Sequence, residues 1–196
     1  MQKLNINNLN EIIDALNQEK VVAIPTDTIY GFSCLATSDK AVQKIYDMKK
    51  RSEQKSFIIL VSANYDLSRI VKDQELIDVI RRNTPAPLTM VVNKSEELNL
   101  SKSFYLPTIA IRIPDNEFLQ RILDKVGYMV STSCNVQGEP NLNDYESIVN
   151  AFPDLDAIIE FKTKKDVKAS TIVDLTSSEY KILRQGDYIF KLNKEI

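Results

Sequence analysis

Apolar positions spaced by three and four alternate along this chain with short apolar runs, and that alternation sets the expected elements. Leu9, Ile12, Ile13 and Leu16 share one face of a helix, with Asn8 placed to cap it and Glu11 three residues later. Residues 21–24 form an apolar run closed by Pro25, the mark of a buried strand. The segment 26–31 is turn-like, residues 32–35 read as a second strand, and Val42, Ile45 and Tyr46 give the buried face of a helix over about 39–51. The run 57–61 is a strand and 76–82 a helix. Pro85-Ala86-Pro87 opens a strand over 88–92, and 108–113 alternates like another until Pro114 stops it. Asp115 is then the expected cap of a helix carrying Phe118, Leu119, Ile122 and Leu123. A short strand over 128–131 runs into a polar loop over 132–140, and a helix near 144–151 and strands near 157–161, 171–175 and 180–184 complete the chain. Strands alternating with helices predict an α/β (α+β) class with one sheet covered on both faces. The Pro-initiated strands and the closely spaced strands near residue 180 argue against a purely parallel sheet. With no internal repeat and no linker, a single domain over 1–196 is expected.

Composition then removes whole chemistries. The 196 residues include no His, so no imidazole serves as base, metal ligand or triad member. Cys34 and Cys134 are too few for a zinc cluster or a disulfide framework and read as small core-facing residues. The longest apolar run has five residues, against the roughly 18 that a membrane span needs. The first residues, Met1-Gln2-Lys3-Leu4-Asn5, lack the apolar stretch of a secretory signal, so a soluble, cytoplasmic protein is expected. A net charge of −2 argues against a dedicated duplex-binding domain, whose affinity rests on phosphate neutralisation. Charge is nevertheless concentrated locally, in Lys49, Lys50, Arg51 and Lys55 and again in Lys162, Lys164, Lys165 and Lys168. Such spots on a near-neutral chain suit a small anion better than a polymer.

Three of the four glycines, Gly31, Gly138 and Gly186, lie in polar segments next to strands, where α/β proteins place ligands. Neither GxGxxG nor GxxxxGK[ST] occurs, so a nucleotide would have to be held by side chains and hydroxyls. The KKRSEQK segment ends a helix. It is either a charged C-terminus complementing the helix dipole or an Arg/Lys clamp for phosphate oxygens. STSCN and PTDT are either turns bonding their own backbone or clusters of hydroxyls facing a ligand. Arg112 between Ile111 and Ile113 is less ordinary, because a cation beside a core needs a partner.

Singly these segments are unspecific; in order they are not. PTDTIYGF, KKR with a later Lys, PAPLT, IAIRIP, STSCN, STIVD and ILRQG together resemble the TsaC/YrdC family of threonylcarbamoyl-AMP synthases, from about Val21 to Gly186. The resemblance implies a twisted mixed β-sheet flanked by helices, enclosing an open basic cavity, in the short single-domain form. The implied reaction joins L-threonine, bicarbonate and ATP into threonylcarbamoyl-AMP and pyrophosphate, the first stage of t6A modification of tRNA. Mg²⁺ accompanies ATP, no protein residue is assigned to a metal, and downstream threonylcarbamoyl-transfer proteins take the product. By match of position, Lys49 and Arg51 correspond to the KxR signature expected at the ATP phosphates and in catalysis, with Lys55 a neighbouring ATP contact. Thr89, Ser133, Asn135 and Arg184 are expected at the nucleotide. Thr28, Tyr30, Arg112, Ser131 and Ser170 are expected at threonine.

Some positions depart from the family pattern. Pro85-Ala86-Pro87 stands for PGP, Ser133-Cys134-Asn135 for SAN, and Ser56-Phe57 for the common Pro-Leu pair after KxR. Leu60 replaces a His found in some members on the threonine side, which bears on substrate choice. A site without His must work by positioning and electrostatics, and the implied chemistry permits that. The alternative is a non-catalytic nucleotide- or RNA-binding paralogue on the same fold. The net charge and the absence of basic stretches interleaved with aromatics count against RNA, so tRNA binding is expected to be weak at most. A carbamoyl-handling domain of the hydrogenase-maturation kind would bring zinc-binding cysteines that this chain lacks.

Overall fold

The computed structural model describes residues 1–52, 56–162 and 167–192. In chain order the elements are β1 (Gln2–Leu4), α1 (Leu9–Asn17), β2 (Val22–Ile24), β3 (Gly31–Leu35), α2 (Asp39–Lys49), β4 (Ile58–Val61), α3 (Glu75–Asn83), β5 (Leu88–Asn93), β6 (Thr108–Arg112), α4 (Glu117–Val126), β7 (Tyr128–Ser133), α5 (Tyr145–Ala151), β8 (Ala157–Ile159), β9 (Thr171–Asp174) and β10 (Lys181–Arg184). All ten strands join one mixed sheet, in the order β1-β8-β2-β3-β7-β4-β6-β5-β9-β10. Its middle pairs β3 and β4 antiparallel to β7, and β4 parallel to β6.

Successive side chains of a strand point to opposite faces. Ile59 and Val61, Met90 and Val92, Ile109 and Ile111, and Val130 therefore meet on one face. There they form a buried core with Val42 and Ile45 of α2, Val79 and Ile80 of α3, and Ile148 of α5. On the other face, Ile12 and Leu16 of α1 and Leu119, Ile122 and Leu123 of α4 pack on Val22, Ile24, Leu60, Met129, Ala157 and Ile159. Those two helices reach only part of that face. Thr89, Val91, Ala110, Arg112, Ser131 and Ile172 carry no helix and instead line a cavity. Helices thus lie on both faces, as expected, with part of the α1–α4 face left open at the cavity.

Capping chemistry places the helix starts. Asn8 caps α1 as expected: its side-chain oxygen accepts from the Glu11 amide and its Nδ2 donates to the Glu11 carboxylate, while its backbone N–H goes to the Asn5 carbonyl. Asp115 is not the cap of α4. Asn116 has the extended backbone of a cap and accepts from the Leu119 amide at 3.0 Å, one residue later than expected. Three further boundaries move. Helix α2 ends at Lys49, because Lys50 turns left-handed (φ 48°) while its amide bonds the Asp47 carbonyl and that of Arg51 the Tyr46 carbonyl. Strand β7 continues to Ser133, so Thr132 and Ser133 lie on a strand and not in a loop. Strand β8 stops at Ile159, short of 161. The short polar strand β1 was not expected; it exists through parallel pairing with β8. Cys34 and Cys134 are fully buried in the core, as their reading as core-facing residues predicted, and burial pushes both thiols up. Among the described residues, no helix is long and apolar enough to cross a membrane.

Asn116→Ala should lower stability by about 1 kcal/mol through loss of the α4 cap, while Asp115→Ala should change it by less than about 0.5 kcal/mol. Denaturant melts of the two variants check this, and equal losses would return the cap to Asp115.

Candidate active site

The cavity on the α1–α4 face has a volume of about 370 Å³. Its floor is the outward set of β4–β7 side chains, and its walls come from the 26–31 segment, the chain after α2, and the ends of β9 and β10. Three arginines line it, Arg51, Arg112 and Arg184, and no carboxylate does among the described residues.

Each arginine is held differently. Arg112, at the end of β6, is buried. Its Nη2 donates to Asp27 at 2.6 Å and its Nη1 to the Thr28 hydroxyl at 2.9 Å, while Nε has no partner. Asp27 is thus the partner that a cation beside a core requires. Arg184 donates from Nε to the Ser170 carbonyl at 2.9 Å and from Nη2 to the Ser170 hydroxyl at 3.2 Å. Ser170 in turn lies 2.8 Å from the Thr89 hydroxyl, across the β5–β9 pairing. Burial, and then the nearby charge of Arg112, hold the Arg184 guanidinium below its ordinary pKa. Arg51 donates to the Ser56 carbonyl at 2.9 Å and stacks on the Phe57 ring at 5.1 Å, and burial lowers its pKa as well.

Two glycines let these groups approach. A Cβ at Gly31 would strike the Ser131 hydroxyl on the neighbouring strand, and one at Gly186 would lie 2.8 Å from the Thr171 amide nitrogen.

The structure therefore gathers Thr28, Tyr30, Arg51, Thr89, Arg112, Ser131, Ser133, Ser170 and Arg184 around one cavity. Lys55 lies outside the described residues. Lys49 and Asn135 sit behind the wall. The Lys49 ammonium meets the Ser133 carbonyl at 2.5 Å and the Asn135 carbonyl and side-chain oxygen at 2.9 Å each, filling its three donors. Asn135 also accepts from the Ser133 hydroxyl at 2.6 Å and donates to the carbonyls of Val136 and Glu139. Burial pulls Lys49 down from 10.5 to about 8, which leaves it charged at neutral pH. The left-handed turn at Lys50 is what separates these neighbours, sending Arg51 to the cavity and Lys49 into the wall.

Tyr30 borders the cavity, but its hydroxyl lies 2.7 Å from the Ile159 carbonyl and 3.1 Å from that of Phe161, neither of which lines it. Burial raises its pKa. Leu60, the residue standing for His, does line the cavity, opposite Arg112 in the β4–β6 register. Thr26, Asp27 and Asn141 escaped the sequence reading. The first two lay inside the quoted PTDT segment, whereas nothing local marked Asn141.

The family described as "Telomere recombination", which groups Sua5, YciO and YrdC, matches residues 14–186. The chain belongs to the Sua5/YciO/YrdC family. Among relatives of this family, the human threonylcarbamoyl-AMP synthase is 30% identical over 186 residues, covering 91% of this chain and 67% of the human one. That of Vibrio campbellii is 30% identical, covering 91% of this chain and 99% of its own. The crystal structure of P. abyssi Sua5 complexed with L-threonine superposes with a TM-score of 0.83 at 25% identity, over 94% of this chain and 56% of that one. This chain thus spans little more than half of that Sua5. E. coli YciO, at 23% identity, shares the fold with a TM-score of 0.82 over 97% and 96% of the two chains. The expected twisted mixed sheet flanked by helices is therefore the family's fold.

Replacing Lys49 by Met should cost roughly 2–4 kcal/mol at pH 7, since three buried oxygens lose their donor. Between pH 8 and 10.5 the unfolded chain holds the Lys49 proton that the native state has released, so wild-type stability rises relative to the variant across that window. Paired urea melts at pH 7.5 and 10 test the sign, and a shrinking difference would refute it.

Proposed function

We propose that this protein is a threonylcarbamoyl-AMP synthase, making L-threonylcarbamoyl-AMP and pyrophosphate from L-threonine, bicarbonate and ATP for t6A modification of tRNA. The observation that carries the reading is a cavity with three arginines and, among the described residues, no carboxylate, built from the segments that mark the Sua5/YciO/YrdC family. Relatives named for that activity cover nearly the whole described chain.

The threonine amine attacks bicarbonate, forming an N–C bond with loss of water. The resulting N-carboxylate attacks the α-phosphorus of ATP, and the bond to pyrophosphate breaks. Both reactants are anionic, so the protein's task is to hold them together and to offset the charge that gathers at the phosphates. Arg51 and Arg184 face the nucleotide in this reading, with Thr89 and Ser133 beside them, and Arg51 is the phosphate clamp. Arg112 takes the threonine carboxylate, with Thr28, Ser131 and Ser170 supplying hydroxyls and Tyr30 shaping the loop. Lys49 and Asn135 contribute by holding the wall on which Ser133 sits.

Mg²⁺ prefers a shell of oxygens rich in carboxylate or phosphate. No group of residues able to hold a metal ion occurs among the described residues, so the lining does not fit a protein-held Mg²⁺. The ion belongs to the substrate, as the companion of the triphosphate. A cytoplasmic location, weak tRNA contact and hand-over to separate threonylcarbamoyl-transfer proteins complete the proposal.

Pyrophosphate release from Mg·ATP, with threonine and bicarbonate each present or omitted, tests it. Release should require both. Arg51→Ala should reduce it by about 10²-fold or more with the melting temperature nearly unchanged, and Arg112→Ala should raise the threonine KM by about tenfold or more. ATP binding without threonine-dependent release would point to the non-catalytic alternative.

A further inference from the structure

The wiring of the 26–28 segment fixes which groups of the site donate and which accept. The Thr26 hydroxyl gives its single proton to the Ile29 carbonyl at 2.7 Å. Its oxygen already accepts from the Thr28 amide at 3.0 Å, and the Thr28 hydroxyl lies 3.0 Å from it. With the Thr26 proton committed, Thr28 must be the donor in that hydroxyl pair. The Thr28 oxygen then has no proton left for the cavity. One of its lone pairs takes Arg112 Nη1 at 2.9 Å and the other remains for a ligand.

Asp27 does the complementary work on Arg112. Its side chain is 8% exposed and that of Arg112 is 7% exposed, with Oδ1 2.6 Å from Nη2. Oδ2 accepts from the Asp115 amide at 3.2 Å, which ties the 26–28 segment to the chain just beyond β6. A guanidinium gripped at Nη1 and Nη2 cannot rotate, and Arg112 holds that fixed orientation at the cavity lining. Arg112 also faces the like charge of Arg184.

We propose that Thr26 and Asp27 are positioning residues for amino-acid recognition, setting Thr28 as a pure acceptor and Arg112 as an oriented donor. The site then reads an α-amino acid by polarity, carboxylate to Arg112 and an N–H or O–H to Thr28. Asp27 stands outside the cavity lining, and Thr26, which borders it, has its hydroxyl proton committed to the Ile29 carbonyl. This rests on the synthase reading and adds to it the origin of amino-acid selectivity.

The test compares wild type, Asp27→Asn, Thr26→Val and Thr26→Ser in steady-state pyrophosphate release, varying L-threonine and ATP separately, with L-threonine binding measured by titration calorimetry. Asp27→Asn should raise the threonine KM and Kd roughly ten- to a hundredfold, and Thr26→Val by roughly three- to tenfold. The ATP KM should stay within about twofold and kcat within about threefold, and Thr26→Ser should restore wild-type values because it keeps the hydroxyl. An unchanged threonine KM in both Asp27→Asn and Thr26→Val overturns the proposal while leaving the synthase reading intact, and so does an equal rise in the ATP KM. Should Asp27→Asn lose its melting transition, the Thr26→Val and Thr26→Ser pair decides: a threonine-specific loss rescued by Ser supports the proposal, and no rescue overturns it. Wild type with no threonine dependence overturns the synthase reading and this inference together.

Discussion

A strand shows every second side chain to one face, and part of one face of this sheet lines a cavity instead of packing under a helix. The rest of the molecule follows from that constraint. The face under α2, α3 and α5 is mostly apolar, so it fixes the register of β4 to β7. With the register fixed, Arg112, Ser131 and Thr89 must point to the opposite face. There, outside the cluster packed under α1 and α4, these polar groups line the cavity. The site is the polar remainder of a sheet whose other face buries its apolar side chains.

Concentrating three guanidinium groups in one cavity costs repulsion and desolvation, and the protein offsets this with oxygens more than with acids. Arg51 and Arg184 rest on backbone carbonyls, and so does Lys49 behind the wall. Arg112 has a carboxylate partner, Asp27, which stands outside the cavity lining. Carbonyls orient cations without cancelling their charge, so the cavity keeps a field suited to an anion. A ring of acids would have stabilised the empty protein and weakened its hold on triphosphate and carboxylate. Burial lowers the pKa of both Arg51 and Arg184, and the nearby charge of Arg112 adds to the effect at Arg184.

Short-range chemistry was legible from the residues alone. The Asn8–Glu11 cap is made within four residues, so it could be read before the fold was known. The apolar runs located every long strand, because a buried strand needs no distant partner to be apolar. The seven ordered segments located the family, and nine of the residues they marked line one cavity. Asp115 against Asn116 marks the limit of such reading: both are good caps, and only the observed backbone, extended at Asn116, selects between them.

What the sequence determined by itself was the set of elements, the absence of imidazole chemistry, and the segments that carry charge and hydroxyls. The tertiary structure decided which way each group faces. Lys49 and Arg51 are two residues apart, yet one is buried in the wall and the other lines the cavity. The left-handed turn at Lys50 and the Ser133 and Asn135 oxygens, 84 and 86 residues away, make the difference. Thr28 faces Arg112 from 84 residues off, while the Tyr30 hydroxyl reaches Ile159 across 129. Strand β1 exists only because β8 is there to pair with. Periodicity and capping act over a few residues and leave a local trace, whereas the direction of a polar side chain at a strand end is set by partners the local sequence does not contain.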